Sequence, residues 1–303
     1  MKKLIECVPN FSEGRREGVV REIVNQAEET ENVWVFDWSM DHDHNRSVVT
    51  IVGDPDYVGK AVFKMAKKAV ELIDLRQHTG GHPRMGAVDV IPFVPLKNFT
   101  ESECVALSKK IGEQIGTELG IPVYLYEKSA VIKERSNLSN IRKGQFEGFF
   151  EKIKSPKWKP DFGPSVVHPT AGVVAVGARE YLIAFNVNLG TKNIEIANKI
   201  ARAVRYSSGG YRFVKAMGVE LKEKGIVQVS MNMTNYKKTP LFRVFDTIKR
   251  EAERYGVPVL GSEIIGMIPM DALVRTVKYY LSVDDLEDER VIEYRLLDEI
   301  SRS

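Results

Sequence analysis

Apolar positions in the first third of the chain alternate between the spacing of strands and the spacing of helices. Short apolar or alternating runs predict strands at residues 4–9, 33–36, 47–52 and 87–94. Apolar residues three and four apart predict one helix after the first strand and a second helix that begins at Asp54-Pro55. There the aspartate caps free backbone N–H groups and the proline fits the first turn. The predicted order is strand, helix, strand, strand, helix, strand.

The second half of the chain repeats this order without repeating the residues. Strands are predicted at residues 181–188, 213–221, 226–231 and 257–265, with helices at 193–204 and from Thr239-Pro240 to Gly256. Two such units predict an α+β protein made of two ferredoxin-like (βαββαβ) sandwich subdomains related by duplication. We expect the first subdomain to span residues 1–178 and the second to span residues 179–303. The alternative is that the order arises by chance, because many α/β proteins contain it.

The segment between the halves predicts further elements. Thr100 and Glu103 form a capping box at the start of a helix over residues 100–115, and residues 122–126 predict a strand. Residues 155–169 contain four prolines, too many for regular structure, together with Trp158 and Phe162. We expect an ordered connecting loop that lines a ligand-binding cleft.

Composition and charge exclude several classes of protein. The 44 basic and 41 acidic side chains leave a net charge of +3, too small for a nucleic-acid or membrane-binding surface. Cys7 and Cys104 lie in apolar positions and are too few for a disulfide framework. The amino terminus lacks a signal-like apolar stretch and no run is long enough to span a membrane. We therefore expect a cytoplasmic protein.

Residues 77–89, QHTGGHPRMGAVD, are the segment richest in reactive side chains. Glycines allow close backbone approach to a ligand, and histidine suits proton transfer near neutral pH. The segment therefore predicts a general acid/base loop, although a tight turn with structural histidines explains the same composition.

A second polar cluster, residues 41–46, has the sequence DHDHNR. It offers possible metal ligands but lacks the spacing that fixes a zinc site, so a solvated turn is the simpler interpretation. Arg46 is suited either to bind a carboxylate with both arms or to pair with a neighbouring aspartate. Asn10 and Ser12 follow the first strand, where they either face a cleft or bond the turn itself. Neither a Walker motif nor a dinucleotide-binding glycine motif is present.

Nearly the whole chain resembles the formiminotransferase domain of formiminotransferase-cyclodeaminases. The matching segments are ECVPNFSEG (residues 6–14), HPRMGAVD (82–89), PVYLY (122–126), DFGP (161–164), AFNVNL (184–189), QVS (228–230) and GS (261–262). The resemblance implies transfer of a formimino group from formiminoglutamate to N5 of tetrahydrofolate, the co-substrate, without a metal. It also implies a folate-binding cleft between two ferredoxin-like subdomains, a homodimer, and the absence of the fused cyclodeaminase domain.

The resemblance also assigns residues to roles. It implies that His82 is the catalytic acid/base. It implies folate binding by Gly163, Pro164, Ser165, Val166, Val167, His168, Pro169, Thr170, Ala171 and Gly172. Our further candidates for substrate binding are Asn10, Ser12, Asp37, Arg46 and Arg84, with Asp37 or Asp41 for the cationic formimino group and Arg46 or Arg84 for carboxylates.

Three other functions fit the sequence. The first is a glutamate formyltransferase that acts on 5-formyltetrahydrofolate with the same histidine. The second is a non-catalytic folate-binding module, for which the His82 loop is unnecessary. The third is a metal-dependent hydrolase built on residues 41–44.

Overall fold

The computed structural model describes residues 2–302, and for residues 298 and 300–302 it describes the backbone alone. The chain divides into two compact units, one ending at Arg179 and one beginning at Glu180. Each unit has its own sheet and its own apolar core.

The first unit has a seven-stranded sheet with helices packed against it. Its strands are β1 (Leu4–Cys7), β2 (Asn10–Phe11), β3 (Val33–Asp41), β4 (Arg46–Gly53), β5 (Val88–Lys97), β6 (Val123–Glu127) and β7 (Val174–Ala178). Its helices are α1 (Glu17–Glu28), α2 (Pro55–Leu72), α3 (Glu101–Glu118), α4 (Leu138–Arg142) and α5 (Gln145–Lys152).

The sheet consists of an antiparallel part and a parallel part. Strands β1 and β2 form one interrupted strand between β4 and β5, and β3 lies outside β4; all of these neighbours are antiparallel. On the other side of β5 come β7 and then β6, both in parallel pairs. Strand β7 was not among the predicted elements, and it carries the end of the first unit back into the sheet.

The helix starts in the first unit confirm the predicted caps. The Asp54 carboxylate accepts a hydrogen bond from the backbone N–H of Asp56, and Pro55 occupies the first turn of α2. The Thr100 hydroxyl and the Glu103 carboxylate form the expected capping box at α3. The apolar faces of α1, α2 and α3 bury Ile23, Met65, Ile111 and their neighbours in the core.

The second unit has a four-stranded antiparallel sheet in the order β11-β8-β10-β9. Its strands are β8 (Ile183–Leu189), β9 (Val214–Leu221), β10 (Ile226–Met233) and β11 (Val259–Ile265). Its helices are α6 (Ile194–Val204), α7 (Leu241–Arg254), α8 (Met270–Leu281) and α9 (Ile292–Arg302). The prediction that Thr239-Pro240 caps α7 is wrong in part: Pro240 is the cap residue, but the Thr239 hydroxyl donates to the backbone carbonyl of Arg212 instead.

The proline-rich residues 155–169 do not lie where the sequence predicts. They do not join the two units, because β7 follows them within the first sheet. Their order comes from specific contacts: the Asp161 carboxylate accepts hydrogen bonds from the backbone N–H of Leu125 at 2.7 Å and from Arg135 at 2.8 Å. Across residues 2–302, none of the helices combines the length and apolar character needed to cross a membrane.

Candidate active site

His82 lies on the loop that joins α2 to β5, and its ring faces the start of β4. Its Nε2 atom is 3.1 Å from Nη1 of Arg46, the first residue of β4. The same Nη1 lies 3.3 Å from the amide oxygen of Asn10 in β2. Three of the predicted site residues, from three segments, therefore meet at one point.

The two histidine-containing clusters of the sequence form one structure. The imidazole Nε2 of His78 lies 2.8 Å from the backbone carbonyl of Asn45, and the backbone N–H of Gly81 donates to the backbone carbonyl of Asp43. At Gly80 a side chain is excluded, because a Cβ atom there would lie 2.4 Å from the carbonyl oxygen of His44. Gly80 therefore permits close packing against His44 and Asn45.

The environment of His82 disfavours its protonated form. Burial, followed by the positive charges of Arg46 and Arg142, lowers its pKa to about 3, and Asp41 opposes this only weakly. Burial also lowers the pKa of Arg46. Because an arginine can only donate, the short contact to Arg46 requires that Nε2 of His82 carry the lone pair. The ring is therefore neutral at neutral pH, with its proton on Nδ1.

His78 differs from His82 because both of its ring nitrogens are bound. Nδ1 accepts a hydrogen bond from Nε of Arg84 at 3.2 Å, so Nε2 carries the proton that it donates to Asn45. Arg84 itself is buried and its two arms bind the Glu147 carboxylate at 2.9 and 2.6 Å. These bonds favour a structural role for both residues, and substrate binding by Arg84 stays a prediction.

A second ion pair joins the start of β5 to the helical segment α4–α5. Arg142 in α4 binds one carboxylate oxygen of buried Asp89 through Nε at 2.7 Å and through Nη2. The other oxygen accepts the backbone N–H of Met85 at 2.9 Å. Arg142 and Glu147 were absent from the predicted site, and no motif in residues 133–152 indicates that they pair with residues more than fifty positions away.

Residues 163–172, predicted to bind folate, are hydrogen-bonded directly to the His82 loop. The backbone N–H of Ala87 donates to Ala171, and that of Val173 donates to Met85, each at 2.9 Å. Gly172 has φ +70°, and a Cβ atom there would lie 2.2 Å from the Met85 carbonyl oxygen. Within the loop, Val166 is largely exposed, whereas Nδ1 of His168 accepts the backbone N–H of Ala171. The two predicted functional segments therefore lie side by side.

The other two substrate-binding candidates lie apart from the His82 ring. Ser12 is buried, with its hydroxyl 2.7 Å from the Gly86 carbonyl and its N–H bonded to Ala87, which fits the turn interpretation. Asp37 in β3 is opposite Thr50. Side chains alternate along a strand, so Asp37 shares a face of the sheet with the opposed pair Asp41 and Arg46. The described contacts do not join Asp37 to His82.

Within the part of the chain that the structure describes, no group of three or more histidine, cysteine, aspartate and glutamate side chains is arranged to hold a metal ion. In the 41–44 cluster, the carboxylate of Asp41 instead binds the ring and backbone of His44, at 2.7 and 2.8 Å.

Comparison with known proteins decides the family. A model of the formiminotransferase domain, N-terminal subdomain, matches residues 4–179, and a model of the formiminotransferase domain matches residues 184–297. The chain belongs to the formiminotransferase family. The resemblance inferred from the motifs is thereby confirmed.

Individual relatives align over nearly the full chain. The glutamate formimidoyltransferase of Streptococcus pyogenes serotype M1 is 53% identical over 98% of this chain and 100% of its own length. That of Thermoplasma acidophilum is 48% identical over 97% of each. The formimidoyltransferase-cyclodeaminase of Rattus norvegicus is 40% identical over 94% of this chain and 54% of its own. The chain spans about half the length of this longer relative.

Proposed function

We propose that this chain is a glutamate formimidoyltransferase that moves the formimino group of N-formimino-L-glutamate to N5 of tetrahydrofolate. The observation that carries the proposal is the His82 ring, half-buried and neutral, with its lone pair on Nε2. It sits in a chain that is 53% identical to a protein of that name. Tetrahydrofolate is a co-substrate here, and the proposal involves no metal.

The chemistry requires a group that accepts one proton and returns another. N5 of tetrahydrofolate attacks the formimino carbon, so that a new C–N bond forms and a tetrahedral intermediate results. The intermediate collapses when the C–N bond to glutamate breaks. N5 loses a proton and the glutamate nitrogen gains one, and His82 Nε2 is placed to take the first and deliver the second. Binding both substrates together supplies the remaining acceleration.

The charged groups around His82 fit the ends of such a substrate. Arg46 has a guanidinium next to His82 that is free of a carboxylate partner among the ion pairs of the described chain, and it suits a glutamate carboxylate. Asp41 lies opposite it in the sheet and, with Asp37, suits the cationic formimino group. For folate we propose residues 163–172, which lie against the His82 loop.

Three broader features belong to the same proposal. We place each unit in the ferredoxin-like class and relate the two by duplication, which the order β11-β8-β10-β9 and its counterpart β5-β1-β4-β3 support. A cytoplasmic location is supported by Cys7 and Cys104, which are buried and unpaired. The family resemblance supports a homodimer, which light scattering would measure.

A turnover assay with tetrahydrofolate and formiminoglutamate tests the function, and 5-formyltetrahydrofolate with glutamate is offered separately. We expect formimino transfer, and we expect His82→Asn to lower it by about 10²–10⁴-fold. His42→Asn is the control, because that side chain is 78% exposed on the neighbouring turn. Activity with the formyl substrates alone, or no turnover with either pair, would refute the proposal. Full turnover by His82→Asn would refute the role of the histidine.

A further inference from the structure

The surroundings of His82 in the ligand-free protein do not suit the proton transfer proposed for it. A general base is most effective when its pKa lies near the working pH. His82 instead has a pKa of about 3, and its Nε2 lone pair already accepts a hydrogen bond from Arg46. In this arrangement the ring can take a proton only after Arg46 moves.

Arg46 has the features of an anion-binding group. Its guanidinium is partly buried, and its Nε is fully buried without a hydrogen-bond partner. Such a group ordinarily pairs with a carboxylate, because desolvation of an unpaired charge is costly. The two nearby carboxylates are engaged elsewhere: Asp41 binds His44, and Asp89 binds Arg142. The contacts of Arg46 are the neutral acceptors Asn10 and His82.

We propose that the Arg46–His82 hydrogen bond keeps the base inactive in the ligand-free protein, and that a carboxylate of the glutamate substrate releases it by drawing the Arg46 guanidinium away from Nε2. The inference rests on the proposed function, because it takes its anion from that substrate. It makes Arg46 a positioning residue that couples carboxylate binding to the readiness of His82.

The charges around the ring give the direction of the effect. Besides burial, Arg46 on β4, Arg142 on α4 and His44 in the turn after β3 lower the pKa of His82, and Asp41 on β3 raises it. A bound carboxylate adds a negative charge beside the largest of these positive ones and removes the hydrogen bond to the neutral ring. Both changes favour the protonated form, so the pKa of His82 rises towards the ordinary histidine value.

Nitrogen NMR of the histidine rings in the full chain measures this directly. The chain has five histidines, and comparison with His82→Asn assigns the signal. Without ligand, we expect the Nδ1–H form with an accepting Nε2, unchanged from neutral pH down to about pH 5. With saturating L-glutamate, at constant ionic strength, we expect the pKa of His82 to rise from about 3 to roughly 4–6, since an opposite charge close to a titratable group typically has such an effect.

Two variants of Arg46 separate its role from a merely structural one. Arg46→Gln removes the charge, so the pKa of His82 should be raised without ligand and L-glutamate should no longer change it. Arg46→Lys keeps a positive charge but lacks the planar guanidinium with its paired donors. It should therefore retain part of the pKa change that L-glutamate causes. Arg76→Gln is the matched control, because that arginine is exposed and bound to Asp74 just before the same loop. It should behave as the unaltered protein does.

The outcomes distinguish this inference from the function on which it rests. If formimino transfer is measured but L-glutamate leaves the His82 signal unchanged, the inference is wrong and the function stands. An ordinary pKa for His82 in the ligand-free protein also overturns it. If transfer itself is absent, the function fails whatever the histidine signal does.

Discussion

At the scale of single residues, the structure separates two histidines that the sequence places four positions apart. His78 has both ring nitrogens bound, by Arg84 and Asn45, so its tautomer is fixed. The described side-chain hydrogen bond of the His82 ring, from Arg46 to Nε2, is one that a substrate can displace. Proton transfer needs a nitrogen that can exchange partners, and His82 alone of the two satisfies that condition.

We expect His78→Ala to impair stability more than chemistry. The change removes two hydrogen bonds, each worth about 1 kcal/mol, and leaves buried Arg84 short of one acceptor. The free energy of unfolding in urea should fall by about 2 kcal/mol, while turnover by the folded protein stays within about tenfold. A loss of turnover as large as that of His82→Asn, with unchanged stability, would contradict this assignment.

His82 should also make stability depend on pH. Its pKa is about 3 in the folded chain and about 6.5 when unfolded, so between these values the unfolded state binds the extra proton. The contribution of the neutral ring is therefore complete above about pH 6.5 and is lost as the pH falls towards 3. From about pH 7.5 to about pH 5, unaltered protein should lose about 2 kcal/mol more than His82→Asn in urea unfolding. Equal losses of unfolding free energy in both proteins would show that the folded structure does not lower the pKa of His82.

Sequence patterns make His82 a candidate for the catalytic histidine, but they do not reveal its environment. The glycines and the family motif single out residues 77–89. The hydrogen-bond partner of His82, however, is Arg46, thirty-six positions earlier in the chain. The sequence left open whether Arg46 binds the carboxylate of a ligand or pairs with a neighbouring aspartate. The choice depends on the register between β3 and β4, which the sequence does not show. That register places Asp41 opposite Arg46, yet Asp41 turns to His44 instead.

At the scale of elements, close backbone contact joins the His82 loop to residues 163–172, the segment proposed to bind folate. Gly86 and Gly172 face each other in an isolated bridge, and Ala87 and Val173 add hydrogen bonds across it. At Gly86 a Cβ atom would lie 2.1 Å from the Val173 carbonyl oxygen. The glycines in these motifs thus serve the contact between the two loops.

Gly172→Ala should therefore separate the loops. The residue has φ +70°, which costs an alanine about 1–2 kcal/mol, and its Cβ would meet the Met85 carbonyl oxygen at 2.2 Å. We expect a lower melting temperature and a raised KM for tetrahydrofolate. Gly148→Ala in α5 is the control, since a Cβ atom there would meet no atom within 4 Å beyond the backbone of its own helix and its chain neighbours, and alanine favours a helix. If both variants bind tetrahydrofolate equally, the contact does not support the folate loop.

Helices and strands were predicted correctly where contacts between residues close in sequence determine them. They were missed where contacts between distant residues determine them. Capping at Asp54 and Thr100 is local, so α2 and α3 begin where expected. Helices α4 and α5 were not predicted, because they are short and are held by distant ion pairs. Arg142 of α4 pairs with Asp89 at the start of β5, and Glu147 of α5 pairs with Arg84 in the His82 loop. Strand β7 was missed for a similar reason, because its pairing with β5 and β6 is parallel and non-local.

At the scale of the whole molecule, the two units have separate cores, and the residues proposed for catalysis all belong to the first. The three tryptophans, Trp34, Trp38 and Trp158, also lie in the first unit. Tryptophan fluorescence therefore reports unfolding of the unit with the candidate site, whereas circular dichroism reports both units.

Formiminoglutamate should raise the urea midpoint of the fluorescence transition, because a ligand that binds only the folded state stabilises it by mass action. At one hundred times its Kd the stabilisation is about 2.7 kcal/mol. Arg46→Gln should need far more ligand for the same effect, since it removes the guanidinium next to His82, whereas Arg76→Gln should respond as the unaltered chain does. If the ligand moves only a transition that is silent in fluorescence, it binds in the second unit, and the site assigned to His82 and Arg46 is wrong.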